Sequence, residues 1–487
     1  MPDARLPVLI FLGLTAALTL LRLLFLTLAV TDLHYDEAQY WAWAQTPAWG
    51  YFSKPPMVAW LIALAEPVCG SGEACVRSPA PLIWAGTALA TFGIGATLFG
   101  ARAGVWAGLA ALLAPGAAFS ARLMSTDVPL LLFWALALLA LVRLRAGGGR
   151  GWLVLLAAAL GLGLLSKYAM LYFLGGLAVA AIVDGETRRL VRRPGLWIAL
   201  AVGSTALIPN LLWNLEHGGA TLRHTADNAT GGGLTPGLTD GLAFLAAQFA
   251  LAGPVVLTGL VLAALRPRTA ETRLLLAFSL PVLLAVTGMA FLTRAHGNWA
   301  ATALIATFVL GSAHLAATNR RAWLVGGLVA GAALQGLLFW IDVTAREATL
   351  AGQTPQSSVM GWAGLGGAVA RAARAEGAVA IVTERRREAA AMSYYARSAT
   401  LPVLAWPGPG GVPDDHFQMT VPLTGREAGP VLAVASCADP ARFGHAYDRV
   451  TPRGRVEVPA GPGETRAVWL FRLEGPRGPV RRPADCP

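Results

Sequence analysis

The sequence predicts a mainly α, polytopic membrane protein: a bundle of transmembrane helices followed by a small C-terminal α/β domain. Three observations predict it. Of the 487 residues, 55% are hydrophobic and only 13% charged, and the mean hydropathy is +0.57. That balance suits a membrane protein rather than a soluble globular one. Apolar runs close to the ~20 residues that cross a hydrocarbon core recur along the first 345 residues. The arginines sit in short clusters between those runs, so the net charge of +11 reads as positive-inside topology and not as a nucleic-acid surface.

The runs fall at 7–30, 78–99, 103–121, 126–144, 151–166, 168–183, 195–214, 239–265, 272–293, 298–317 and 322–343, about eleven spans in all. The fifth and sixth meet at Ser166-Lys167-Tyr168 and are read as two short helices rather than one broken one. The first run is too long for a cleavable signal peptide and has no small-residue cleavage site, so it is read as a span. With the N-terminus inside, the inside loops carry Arg143/Arg145/Arg150, Arg188/Arg189/Arg192/Arg193, Arg266/Arg268/Arg273 and Arg320/Arg321. The outside loops hold single cations: Lys54, Arg77, Arg122, Lys167, Arg223 and Arg294. One span more or fewer would invert every later loop and spoil the asymmetry. Arg22 lies inside the first run, where it is expected to snorkel outward or to pair with a carboxylate.

Between the spans, the run that starts at Met57 and ends at Ala65 is apolar but too short to cross, and it is expected to lie along the interface. Gly218 to Gly233 is polar and glycine-rich and reads as a flexible outer loop in the position of a lid. Beyond about residue 345 the composition turns to Pro, Gly, Arg and Asp. Ala378–Val382, Val431–Ser436 and Ala467–Phe471 read as strands and Arg385–Arg397 as a helix. The chain therefore divides into a transmembrane domain, 1–345, and an outer α/β domain, 346–487. The four cysteines have no metal-site spacing; Cys69 and Cys75 would close a short loop, and Cys437 and Cys486 would meet in an oxidising compartment.

The chemistry concentrates on the outer face. His34 to Pro56, HYDEAQYWAWAQTPAWGYFSKPP, is dense in aromatic rings, as suits the water–lipid boundary. Its acidic pair, Asp36 and Glu37, reads either as the cap of a surface helix or as a general base. In MSTDVPLLLFW, Ser125, Thr126 or Asp127 can cap the fourth span, with Pro129 in its first turn, and Asp127 can line a cleft as well. Lys54 and Lys167 are the only lysines in the chain. A lysine at a span end commonly snorkels to headgroups; beside an acidic motif the pair suggests instead a cationic site for phosphate. Arg294 and His296, in TRAHGNWA, add a third such group, although a lone surface His is more often hydrogen-bonded than metal-bound. A carboxylate base and several cations on one face suit transfer from a phosphate-linked donor, and at the bilayer edge that donor is a lipid.

The acidic pair after the first span, YFSKPP about 15 residues later, TDVPLLLFW, LSKY and HGNWAA together resemble the GT-C class of polytopic glycosyltransferases. The group most similar is the bacterial family that includes the aminoarabinose transferases of lipid A, related to protein O-mannosyltransferases. The resemblance covers residues 5 to about 345. It implies inverting transfer of a sugar from undecaprenyl phosphate to a cell-envelope acceptor such as lipid A, lipopolysaccharide or another glycan. The site would face the periplasm, in a multi-pass protein of the inner membrane. It implies that Asp36 is the essential first-loop acid, with Glu37 beside it, and that Asp127 is the second acid. Tyr51 and Lys54 would contact the donor phosphate, and Lys167, Arg294 and His296 would line the cavity. Two positions depart from the pattern: the glutamate that precedes the KPP lysine and helps hold a metal is Ser53, and the arginine three residues after the first-loop acid is Gln39. No cofactor is assigned on this basis, and a divalent metal stays open. The alternatives are a protein O-glycosyltransferase and a flippase or transporter of the lipid-linked sugar. A transporter is expected to show internal repeats and polar residues near mid-membrane. The polar residues of this chain gather at span ends, and nothing points to a nucleic-acid partner.

Overall fold

A computed structural model describes residues 5–230, 236–350, 352–478, 480, 482, 483 and 486. The chain forms two compact units. The first comprises Met1–Thr27, Lys54–Leu61 and Arg77–Leu338; the second comprises Leu28–Ser53, Ile62–Val76 and Phe339–Pro487.

The first unit is helical throughout, which is how a chain in lipid satisfies its backbone polar groups. Each apolar run of the sequence carries a helix. Among the described residues, six helices are long and apolar enough to cross a membrane: Arg5–Leu28, Glu73–Phe99, Asp127–Arg145, Pro194–Glu216, Ala270–Leu292 and Arg321–Val343. Two bent pairs, Tyr168–Val183 with Gly185–Val191 and Leu238–Ala252 with Pro254–Ala264, raise the number to eight if each counts as one span. Shorter apolar helices cover Ala101–Leu113, Arg150–Ser166 and Ala303–Ala317. The 106° bend between Leu238–Ala252 and Pro254–Ala264 has a local cause. Gly253 adopts φ 84°, and Pro254 has no N–H to continue the ladder.

The first helix shows the inverted pattern of a lipid-facing element. Leu6, Leu9, Leu20 and Leu24 are exposed, whereas Thr15, Thr19 and Arg22 are buried with Phe11 and Leu26. The two threonines return their hydroxyls to the carbonyls of Phe11 and Thr15. Arg22 neither snorkels nor meets a carboxylate. Its Nε and Nη2 donate to Gln335 Oε1 at 3.0 and 2.9 Å, and Nη2 also donates to the carbonyl of Leu112 at 2.9 Å. A neutral amide here gives the buried guanidinium acceptors without adding a second buried charge. Helices Pro254–Ala264 and Ala303–Ala317 cross at Gly259 and Gly311, where the facing backbones leave no room for a Cβ.

The glycine-rich outer segment is more ordered than its composition suggests. A helix spans Ala220–Thr230, and residues 231–233 of the expected loop lie outside the described residues. Gly218 and Gly219 turn the chain at φ 62° and 75°, and Asn214 Oδ1 accepts the N–H groups of Thr221 and Leu222. The capping group thus precedes the helix by a full turn and a half, on another helix, which hides it from a local reading.

The second unit is built on a five-stranded mixed sheet: β1 Ala380–Thr383, β2 Val403–Ala405, β3 Val431–Ala435, β4 Tyr447–Pro459 and β5 Thr465–Pro476, in the order β2-β1-β3-β5-β4. β1 is parallel to β2 and β3; β5 runs antiparallel to β3 and β4. All five residues of β3 are buried, as a central strand covered on both faces requires. Side chains alternate: Ile381, Leu432, Val434 and Leu470 pack with Leu365, Val369 and Met392 of helices Trp362–Ala375 and Arg386–Tyr395. On the other face Val382, Ala433, Phe471 and Leu473 pack with Trp406, Phe443 and Tyr447.

The first-loop segment belongs to this same unit. Asp32 Oδ2 accepts the N–H groups of Trp362 and Ala363, capping a helix that begins 330 residues later. Trp41 meets Tyr394 edge-on at 4.9 Å, and Tyr394 donates its hydroxyl to the carbonyl of Ser71 at 2.6 Å. Disulfides join Cys69 to Cys75 and Cys437 to Cys486, the two pairs the sequence suggests.

Candidate active site

In the second unit the acidic pair sits at the start of a helix, Tyr35–Ala44, and its two members have different surroundings. Asp36 N–H donates to His34 Nδ1 at 3.3 Å, and Glu37 Oε2 accepts from the His34 N–H at 3.0 Å. This is a capping box with histidine as the cap. Glu37 is 2% exposed, and its Oε2 is held in that cap. The Asp36 side chain stays 36% exposed, with its Oδ1 2.9 Å from Arg386 Nη1. The same Nη1 reaches Gln39 Oε1 at 3.3 Å, and the guanidinium lies over the Tyr35 ring at 5.0 Å.

Tyr51 takes a structural place. Its ring stacks on Trp43 at 4.5 Å with an interplanar angle of 1°, and His416 lies edge-on to both rings. Its hydroxyl donates to the carbonyl of Trp43 at 3.0 Å and accepts from the Ala48 N–H at 3.1 Å. Burial pushes the phenol up to about 12. The hydroxyl expected at the donor phosphate is thus also bonded to the loop backbone.

In the first unit, Lys54 is half-buried at the head of the Lys54–Leu61 segment. Asp127 and Lys167 come together 40 residues apart: Nζ donates to Oδ1 at 2.7 Å, with the side chains 12% and 17% exposed. Asp127 occupies the first turn of Asp127–Arg145, but its side chain does not cap the helix. Its second oxygen accepts from Asn298 Nδ2 at 2.6 Å. Asn298 rides on the short turn Gly297–Ala300, held by Gln248 Nε2 donating to the Gly297 carbonyl at 2.9 Å. The backbone after Lys167 is pinned by Tyr168, whose hydroxyl donates to Asn210 Oδ1 at 2.6 Å. One ammonium proton goes to Asp127, which among the described residues leaves two donors on Lys167 without a hydrogen bond. Arg294 and His296 are exposed and flank this turn; His296 makes an edge contact with Trp299 at 5.5 Å. The far end of the Asp127 helix carries Arg143 and Arg145, so the acid–lysine cluster and these two arginines sit at opposite ends of one helix.

Among the described residues no three His, Cys, Asp or Glu side chains gather as a metal-ligand set. Ser53 is buried where the family's metal-holding glutamate would stand.

Residues 53–213 match the family model for dolichyl-phosphate-mannose-protein mannosyltransferases. The chain is 34% identical to the lipid A galacturonosyltransferase RgtD of Rhizobium johnstonii over 429 residues, 85% of this chain and 88% of that protein. It belongs to the GT-C class of membrane glycosyltransferases. Its fold is that of the ArnT crystal structures from Cupriavidus metallidurans. The one bound to undecaprenyl phosphate superposes with a TM-score of 0.63, and the apo form with 0.58. In each, identity is 18%, and the match covers 94% of this chain and 97% of that one.

The chain is thus a multi-pass membrane enzyme, a polyprenyl-phosphate-sugar-dependent glycosyltransferase. Such an enzyme needs a base for the acceptor hydroxyl and cations for the departing phosphate. Two members of these clusters are not apparent from the sequence. Asn298 lies inside the HGNWAA motif, but nothing local marks its bond to a carboxylate 171 residues away. Arg386 carried no signal at all, being 350 residues from Asp36 in sequence.

Proposed function

We propose that this enzyme transfers a galacturonosyl residue from a polyprenyl-phosphate carrier to lipid A. Asp36 takes the proton of the acceptor hydroxyl. The freed oxygen attacks the anomeric carbon, the bond from that carbon to the phosphate oxygen breaks, and the polyprenyl phosphate leaves with the extra negative charge. A single displacement inverts the anomeric centre. Lys54, Lys167 and Arg294 are the candidates for charge compensation on the leaving phosphate, with His296 beside them. Asp127 orients Lys167 and does not act as a second base.

The observation that supports the reading best is the difference within the acidic pair: Glu37 is buried in the helix cap, and Asp36 keeps a partly exposed carboxylate in the first turn of the capped helix. The nature of sugar and acceptor rests on the relative that is 34% identical. We place the enzyme in the inner membrane with about eleven apolar segments crossing or entering it and the N-terminus inside. The catalytic part is residues 1–345, with residues 346–487 as an α/β domain in the periplasm.

The test is purified enzyme incubated with undecaprenyl-phosphate galacturonic acid and lipid A. A mass gain of one hexuronic acid on lipid A is expected, and none with Asp36→Asn. Movement of intact donor across a vesicle bilayer without sugar transfer would point to a flippase instead.

A further inference from the structure

We propose that Arg386, on the α/β domain, is the positioning residue that aims the Asp36 carboxylate. The proposal rests on Asp36 being the base. Arg386 begins the helix Arg386–Tyr395, which packs on the Asp36 helix within the second unit. Its Nη1 divides two protons between Asp36 Oδ1 at 2.9 Å and Gln39 Oε1 at 3.3 Å, and its plane rests on Tyr35. Tyr35, Asp36 and Gln39 are one turn of one helix, so three consecutive contacts fix the guanidinium in position and angle.

Two features separate this arrangement from an ordinary surface ion pair. Gln39 is 1% exposed, so a buried amide oxygen has been given to this one guanidinium. The ion pair itself is open, with side chains 38% and 36% exposed, and a pair so open adds little to stability. A contact organised from beneath and left wet above suits a reacting group more than a strut. Only Oδ1 is engaged by Arg386. Oδ2 lies 3.6 Å from His34 Nδ1, beyond hydrogen-bond distance, and remains to accept a proton. Among the described residues, Nε and Nη2 of Arg386 make no hydrogen bond, although the guanidinium also acts electrostatically on the Asp415 carboxylate, so the same residue can meet negative charge on the acceptor.

Four forms of the full-length enzyme test this with undecaprenyl-phosphate galacturonic acid and lipid A: wild type, Asp36→Asn, Arg386→Ala and Arg386→Lys. Arg386→Ala is expected to lower kcat by about 10–100-fold, the effect of a misaimed catalytic group, with KM for the donor changed less than about threefold. Its Tm should stay within about 2 °C of wild type. Arg386→Lys should recover part of kcat, because it keeps the charge but not the planar bridge. Guanidinium chloride at low millimolar concentration should raise kcat of Arg386→Ala several-fold, where sodium chloride at equal ionic strength does not. Loss of activity with a matching fall in Tm, and with no recovery by lysine or guanidinium, would make Arg386 a structural clamp and overturn the proposal. Full turnover by Arg386→Ala beside an inactive Asp36→Asn would overturn this proposal alone. Turnover by Asp36→Asn would remove the base assignment, and the role of Arg386 with it.

Discussion

The two acid clusters of this enzyme use the same ingredients to opposite ends. Asp127 is nearly enclosed, with a cation on one oxygen and an amide donor on the other. Asp36 is more than a third exposed, held by a cation on one oxygen only. A carboxylate with both oxygens filled is an anchor, whereas one with a free oxygen can take a proton. Enclosure also decides what removal costs. A buried pair broken on one side leaves an uncompensated charge, whereas an open pair leaves a solvated one.

That contrast can be broken at several points. The largest effect is expected for Lys167→Ala, which strands the Asp127 carboxylate: about 3 kcal/mol of stability should be lost in denaturation of the purified protein, together with activity. Asp127→Asn keeps an acceptor without the charge, so it should retain the fold better than Lys167→Ala while turning over poorly. If Lys167→Ala unfolds no more easily than wild type, the Asp127 carboxylate is not held in an enclosed pair. Next comes the capping pair. Glu37→Gln should cost about 1 kcal/mol in thermal unfolding, by weakening the box, yet leave kcat within a few-fold of wild type. A Glu37→Gln enzyme that is stable but inactive would exchange the roles of the two acids. Smaller still is Tyr51→Phe, which removes the hydroxyl bonds to Trp43 and Ala48: about 1 kcal/mol of stability, with donor KM near wild type. A large rise in KM would return Tyr51 to the donor site. Finally, Cys69 and Cys75 should resist thiol labelling until reduced, whereas labelling of both without reduction would contradict the bridge.

How much of this could be read from the residues follows from the range of each interaction. Apolar runs are local, and each of them carries a helix. The strand and helix positions of the α/β domain are likewise local: the expected helix Arg385–Arg397 is observed at Arg386–Tyr395, and the expected strand Val431–Ser436 at Val431–Ala435. What a residue touches across the fold is not local. The partner of Arg22 lies 313 residues away and is an amide, which no charge count would nominate. The cap of the Ala220–Thr230 helix is an asparagine side chain on a preceding helix. Asp36 and Glu37 are adjacent in sequence; only the geometry of the cap separates the buried acid from the open one. Lys167 stands out because lysine is rare in this chain, but its attachment to Asp127 is a tertiary fact.

The central claim is that Asp36 accepts the proton of the acceptor hydroxyl. The most direct measurement is single-turnover transfer to lipid A by Asp36→Asn, followed by mass spectrometry on protein whose Tm equals that of wild type. The account predicts a rate lower by at least about 100-fold, the contribution of a positioned base. A rate within a few-fold of wild type would contradict it.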